Sequence, residues 1–222
     1  MNGRAAASEI RSAEDFGRAF EVSRETLEKL EVYDLAIRKW QLAVNLVAPA
    51  TLGQLWHRHF ADSAQLVRFV PENARRLVDL GSGGGFPGLV LAILLAEAGL
   101  VQVVLVESDQ RKAAFLREVA RQTGVAVDII VSRIENTETQ SIVGTADVVT
   151  ARALAPLGRL FSLSKAYFGP GTVGLFLKGR EVEQELAEAR REWDFDAQLA
   201  DSLTGGGGKI AVVRHLGAKT EG

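Results

Sequence analysis

Val78-Asp79-Leu80-Gly81-Ser82-Gly83-Gly84-Gly85-Phe86-Pro87-Gly88 joins an apolar run to a glycine-rich turn. The run ends in an acid, and five glycines then fall within eight residues. A helical apolar segment, Leu89 to Ala96, follows at once. Glycine lets the backbone turn sharply and approach a ligand closely, because no Cβ stands in the way. A second acid, Glu107, closes the next apolar run, Val101 to Val106. A glycine loop after one strand and a carboxylate after the next form the pattern of a nucleoside-binding site.

From this stretch outward the chain reads as βαβ. Strands are expected near 76–80, 101–107, 126–131, 146–151 and 174–178, with helices near 87–98, 110–123, 156–167 and 181–193. Gly124 ends the second helix, and Gly169-Pro170-Gly171 reads as a turn. Residues 196–203 and 209–215 flank a glycine tip, Gly205 to Gly208, as a hairpin. Five parallel strands closed by an antiparallel hairpin predict a Rossmann-like α/β sheet of the class I methyltransferase type. A nicotinamide-binding domain is expected to repeat its βαβ half instead. Upstream, one helix is expected over 8–40 and another over Thr51 to Val70, stopped by Pro71. Trp56, Phe60 and Leu66 fall on a plausible core face of the second. The expected organisation is an N-terminal helical extension over 1–74 packed on the core, a methyltransferase domain over 75–217 and a tail over 218–222.

Composition narrows the chemistry. At 222 residues and 47% apolar content, the chain suits one domain with a real core. Its net charge of −2 announces no global basic field. There are no cysteines, so no disulfide, thiolate zinc site or Cys nucleophile exists, and C5 methylation of a pyrimidine through a Cys adduct is excluded. No secretory leader is read over the charged first 35 residues, and the expectation is a cytoplasmic protein. Gly88 to Val106 is long and apolar, but Glu97, Gly99 and Gln102 interrupt it, so helix followed by buried strand is expected, not a membrane span.

The loop spaces its glycines at Gly81, Gly83 and Gly85, and Phe86 stands where a dinucleotide loop carries a further glycine. Nothing in it demands a pyrophosphate, and S-adenosylmethionine is the expected cofactor. Glu107 is then placed to accept both ribose hydroxyls. Asp79 either holds the methionine ammonium or pins the loop backbone. Phe86 packs on the cofactor or caps the helix. Ile134 and Glu135, just after the third strand, lie where adenine would sit.

The acceptor is read from the fourth strand, which ends Val149-Thr150-Ala151-Arg152-Ala153. The Asn/Asp-Pro-Pro-aromatic turn used for exocyclic amines is absent there. Arg152 cannot be a general base at neutral pH, but it binds phosphate, carboxylate or the O6/N7 edge of guanine. Guanine N7 carries no proton, so orientation alone can suffice. The alternative for Arg152 is an ion pair with a core acid such as Asp147. Between Thr150 and Arg180 stand Arg152, Arg159, Lys165, Lys178 and Arg180, with no acid. An overall acidic chain can thus present a basic rim to a polyanion.

Larger motifs carry a resemblance. Lys39-Trp40 with Asn45-Leu46, Arg58-His59-Phe60 with Asp62-Ser63, and Gly85-Phe86-Pro87-Gly88 resemble bacterial 16S ribosomal RNA guanine-N7 methyltransferases of small-subunit group G, formerly glucose-inhibited division protein B. Lys112 with Phe115-Leu116, Ser132-Arg133 with Glu135, Thr150 to Ala153 and Leu177-Lys178-Gly179 extend it. Two departures stand out: Val47 where the family usually has Thr, and Glu107 for the more usual Asp. The resemblance implies cofactor contacts at Gly81, Phe86, Ile134, Glu135 and Arg152, and a guanine of small-subunit RNA as target. RNA would be oriented by Arg152, Lys178, Arg180, Arg133 and Arg58.

His57, His59 and Asp62 invite a metal reading, but His215 is the only further histidine, and no metal is expected. His59 and Asp62, three apart, are expected to bond to each other over the cleft. Partners expected are the 16S rRNA or the small ribosomal subunit, with no membrane and a monomeric protein. Two alternatives remain at this point: a methyltransferase of a small anionic metabolite or protein, or a non-catalytic cofactor-binding ribosome-assembly factor.

Overall fold

The computed structural model describes residues 9–99 and 101–219. The ends of the expected N-terminal extension and C-terminal tail, residues 1–8 and 220–222, lie outside it. Seven strands form one sheet in the order β3-β2-β1-β4-β5-β7-β6. They are β1 (Arg76–Leu80), β2 (Gln102–Glu107), β3 (Asp128–Val131), β4 (Ala146–Arg152), β5 (Phe168–Lys178), β6 (Trp193–Asp201) and β7 (Lys209–Ala218). The first five run parallel, and β7 pairs antiparallel with both β5 and β6.

Alternation along the strands supplies a core on each face. Leu77, Val103, Leu105, Val148 and Leu175 face one apolar cluster, whereas Val78, Leu80, Val104, Val149 and Phe176 face the other. The first cluster is covered by α4 (Gly88–Leu95), α5 (Gln110–Thr123) and the N-terminal helices α1 (Ala13–Phe20) and α2 (Arg24–Trp40). Helix α4 is apolar on every side because it lies between sheet and N-terminal helices. The second cluster is covered by α7 (Leu157–Ser164), with Val182 and Ala189 of α8 (Val182–Ala189).

Local capping explains several boundaries. The Ser12 and Ser23 hydroxyls accept the Asp15 and Thr26 amides, so the helix expected over 8–40 is two helices, broken where Glu21 turns left-handed. The segment expected as one helix over 51–70 is a succession of tight turns: 3₁₀ over Pro49–Gln54, π over Trp56–Ala61, the short α3 (Asp62–Ala64) and 3₁₀ over Gln65–Phe69. Trp56, Phe60 and Leu66 are nonetheless buried as expected. A short helix, α6 (Thr137–Val143), fills the gap between β3 and β4. Gly169-Pro170-Gly171 lies inside β5, where the pairing with β4 shifts register between Ala146 and Val148. Thr172 Oγ1 accepts the Gly169 amide there and donates to the Ala146 carbonyl, so the glycine–proline signal makes a bulge, not a turn. The last helix stops at Ala189 and β6 starts at Trp193, earlier than expected.

Candidate active site

The C-terminal ends of β1, β2 and β4 meet at one edge of the sheet, where open α/β folds bind ligands. Gly81, Gly83 and Gly85 all take positive φ, so the loop follows a path that other residues rarely adopt. Their surroundings differ. A Cβ on Gly83 would meet nothing nearer than its own loop's Gly81 carbonyl oxygen at 3.8 Å, leaving that face open to a ligand. A Cβ on Gly85 would collide with the Tyr33 hydroxyl. The Tyr33 phenol, fully buried on α2, donates to the Gly84 carbonyl. Gly83 therefore leaves space at the site, while Gly85 makes room for the protein itself.

Glu107 ends β2 almost buried, and it holds the loop instead of standing free. Its Oε2 accepts the Gly83 amide at 2.7 Å and its Oε1 accepts the Asp109 amide at 2.7 Å. Each oxygen keeps a second lone pair for a ribose hydroxyl. Asp79 is fully buried. Its Oδ1 accepts the Thr150 hydroxyl at 2.7 Å, and its Oδ2 lies by Gly88 and meets no full hydrogen bond among the described residues. Burial pushes its carboxyl up to about 6, against the pull of the Thr150 hydroxyl. A Cβ on Gly88 would stand 2.6 Å from that same Oδ2, so glycine at the start of α4 is what lets the carboxylate lie there. An open glycine face, a ribose-type carboxylate and an unsatisfied buried oxygen fit a nucleoside cofactor with an ammonium arm.

Phe86 is the hub of the acceptor side. Its ring stacks on Tyr33 with centroids 5.4 Å apart, meets Phe60 edge-on and leans on His59 at 5.0 Å. Arg152, at the end of β4, places its guanidinium carbon 4.8 Å from the Phe86 centroid. Arg152 Nη1 donates to the Arg58 carbonyl at 3.3 Å. The ion pair with Asp147 is not made: Asp147 Oδ2 instead accepts the Arg75 and Arg76 amides at 2.7 and 2.9 Å. Burial lowers the Arg152 pKa, opposed by the field of Asp62, yet a guanidinium stays protonated.

The histidines hold structure. His59 Nε2 bonds Thr51 Oγ1 at 2.8 Å, not Asp62 as expected. Thr51 Oγ1 already donates to the Ala48 carbonyl, so His59 carries its proton on Nε2. Burial, then Arg152 and Arg58, drive its pKa down to about 3, so it is neutral. Asp62 Oδ1 collects Gln65, Ser202 and Thr204. Among the described residues, no three His, Asp or Glu side chains group as a metal site, and no helix is long and apolar enough to cross a membrane.

The remaining sequence candidates are scattered around the edge. Ile134 is buried and its carbonyl accepts the Tyr167 hydroxyl at 2.7 Å, while Glu135 and Arg133 are exposed beside it. Arg58 is exposed. Lys178 is not a free cation on a rim: its Nζ lies 2.6 Å from Glu185 and donates to the Ala155 carbonyl at 2.8 Å. Arg180 is exposed and its Nε donates to the Gly206 carbonyl. Tyr33 was not among the sequence candidates, and only the crowding around Gly85 shows its part.

This sheet order and edge define a class I methyltransferase. Matching folds include the SAH-bound Podospora anserina methyltransferase (TM-score 0.58, 13% identity, 91% of this chain and 94% of that one). A Geobacter sulfurreducens methyltransferase gives a TM-score of 0.57 at 13% identity, covering 94% and 98%. Sequence is more specific. The family model for rRNA small subunit methyltransferase G matches residues 26–216, and the chain belongs to that family. Ribosomal RNA small subunit methyltransferase G of Parvibaculum lavamentivorans is 52% identical over 94% of this chain and 91% of its own. That of Rhodospirillum centenum is 50% identical over 92% and 91%.

Proposed function

We propose that the protein transfers the methyl group of S-adenosylmethionine to N7 of one guanine in the 16S rRNA of the small ribosomal subunit. The observation that carries the acceptor chemistry is Arg152. It lies on Phe86 at the cofactor edge, and among the described residues no carboxylate is tied to it and no strong base stands beside it. His59 keeps an Nδ1 unpaired among them, but with its pKa driven down to about 3 it is a poor base. Asp79 is fully buried, its Oδ1 is bonded to Thr150, and its Oδ2 is assigned to the cofactor. A site with an arginine and no strong base suits an acceptor that has no proton to lose.

S-adenosylmethionine, when bound, supplies an electrophilic methyl on a sulfonium. Gly81 and Gly83 would give it backbone access, Glu107 would take the ribose hydroxyls with its spare lone pairs, and Asp79 would hold the ammonium. Ile134 supplies an apolar wall for adenine, with Glu135 beside it. Phe86 orders the cofactor side by packing against Tyr33. Arg152 donates to guanine O6, orienting N7 in line, so the gain is positional and electrostatic and no covalent intermediate forms. Arg58, Arg133 and Arg180 meet the RNA backbone, while Lys178 fixes the loop after β4. The described residues before 75 act as an extension that locks the glycine loop through Tyr33. We further propose that the protein is a cytoplasmic monomer that works without a metal.

The test incubates the protein with labelled cofactor and unmethylated small subunits, followed by chain scission at 7-methylguanosine. A single scission site is expected. Label only on an exocyclic amine, or none, overturns the reading. A metabolite enzyme is separated from it by the absence of salt-dependent binding to subunits.

A further inference from the structure

The tip between β6 and β7 is four consecutive glycines, Gly205 to Gly208, and the first three take positive φ of 70, 66 and 79°. So glycine-rich a tip is costly to order. It is nevertheless anchored from several directions. Asp62 Oδ1 accepts the Ser202 and Thr204 hydroxyls at 2.9 and 3.1 Å. Gln65 Oε1 accepts the Leu203 amide at 2.8 Å, and His57 Nε2 bonds the Thr204 carbonyl at 2.9 Å. His57 Nδ1 accepts the Ile10 amide, so its proton sits on Nε2 and points at the tip. A hairpin end with no task needs no such scaffold.

The tip in turn seats Arg180. Its Nε donates to the Gly206 carbonyl at 2.8 Å, and its Cγ lies 2.6 Å from where a Gly207 Cβ would be. Only glycine at 207 leaves room for the arm. Tethering Nε leaves both terminal nitrogens of the guanidinium without a partner among the described residues. Lys178 pairs in register with Lys209, so the tip stands at the cofactor edge. Arg152 pairs with Leu177 of the same strand, β5.

We infer that Arg180, held in place by the Gly206–Gly207 tip, is a preorganised contact for a phosphodiester of the substrate RNA, outside the methyl-transfer centre. This deepens the proposed function and rests on it. The two terminal guanidinium nitrogens present a fork that matches two oxygens of one phosphate. The scaffold through Asp62, Gln65 and His57 ties that phosphate to the same turn whose Arg58 carbonyl holds Arg152. The site therefore sets the distance from the RNA backbone to the target base.

The experiment measures binding of the intact, cofactor-loaded protein to small subunits across a potassium chloride series, beside methyl transfer. Arg180→Gln should weaken binding about fivefold to tenfold near 0.1 M salt and flatten the log–log salt slope by about one. Gly207→Ala keeps the charge but evicts the arm, and should weaken binding to a similar degree. Cofactor affinity, read by calorimetry, should stay unchanged in both. An unchanged slope in Arg180→Gln, or wild-type binding by Gly207→Ala, overturns the inference. If Gly207→Ala does not fold, Arg180→Lys decides alone. It keeps the charge without the fork and should lose affinity while holding the slope, and wild-type affinity there overturns the tip. Wild-type protein that leaves the RNA unmethylated fails the proposed function instead.

Discussion

Arg152 rests on the ring of Phe86, and Phe86 rests on Tyr33, so the cation at the acceptor side and the tyrosine under the glycine loop share one aromatic slab. The slab gives Arg152 a defined place without a carboxylate. In the proposed reaction, binding guanine O6 would therefore break no ion pair. Arg152→Ala should lower single-turnover methyl transfer by about a hundredfold or more while leaving cofactor affinity within about threefold. Thermal unfolding should move only modestly, since a half-buried cation–π contact contributes about 1–2 kcal/mol. Arg152→Lys should recover only a small part, because an ammonium lacks the guanidinium's fork.

Two buried groups should give opposite pH signatures. The Asp79 carboxyl sits at about 6, above the usual 3.8. A raised carboxyl pKa favours the folded state below 3.8, and that contribution is lost as pH rises through 6. Asp79→Asn should then stabilise the protein at pH 7 by roughly 2–3 kcal/mol in chemical denaturation, and bind cofactor more weakly. A loss of stability at pH 7 would contradict this. His59, depressed from 6.5 to about 3, behaves the other way: its contribution is complete above 6.5 and is lost as pH falls toward 3. His59→Gln should flatten the acid limb of the stability curve between those values.

Glu107 holds two loop amides at once, one from each side of the cofactor edge. Glu107→Gln presents one acceptor and one donor, so one amide faces an N–H group. Losing a charged hydrogen bond costs about 1.5–3 kcal/mol, and cofactor dissociation constants should rise about tenfold to a hundredfold by calorimetry. Affinity within twofold of wild type would assign the carboxylate a purely local role.

Glu185 Oε2 lies against Lys178 and also accepts the Leu157 amide at 2.8 Å. Together they fix the loop after Arg152, where Ala153 holds a φ of 51° that alanine adopts at a cost of about 1–2 kcal/mol. Glu185→Gln should relax that loop, reducing turnover on RNA about tenfold with an unchanged KM for cofactor. Equal losses in both parameters would point to general unfolding.

The parts of the fold that could be read in advance were those with strong periodicity or a sharp stop. The bounds of α5 follow from its apolar face, the Asp109 cap and Gly124. Helix α6 escaped because seven polar-rich residues give no periodic apolar face, although Asn136 capping Glu138 and Thr139 was a usable signal. Gly169-Pro170-Gly171 misled because the residues that mark a turn also mark a bulge. The meeting of the glycine loop, Glu107 and Arg152 at one sheet edge was legible from position alone. The partners of Lys178 and His59 were not. Glu185 and Thr51 are seven and eight residues away, and only the packing of α8 and of the tight turns brings them near.

The collision awaiting any side chain at Gly85 has a bearing on how such sequences can change. Tyr33 and Gly85 lie far apart in the chain yet compete for one volume, and the Gly84 carbonyl depends on the tyrosine's hydroxyl. Neither position has an independent path to a new residue. Enlarging the glycine first meets the phenol, and shrinking the tyrosine first strands a carbonyl. Lineages should therefore keep the pair or exchange it in a single coupled step, so the N-terminal helix and the glycine loop drift as one inherited unit.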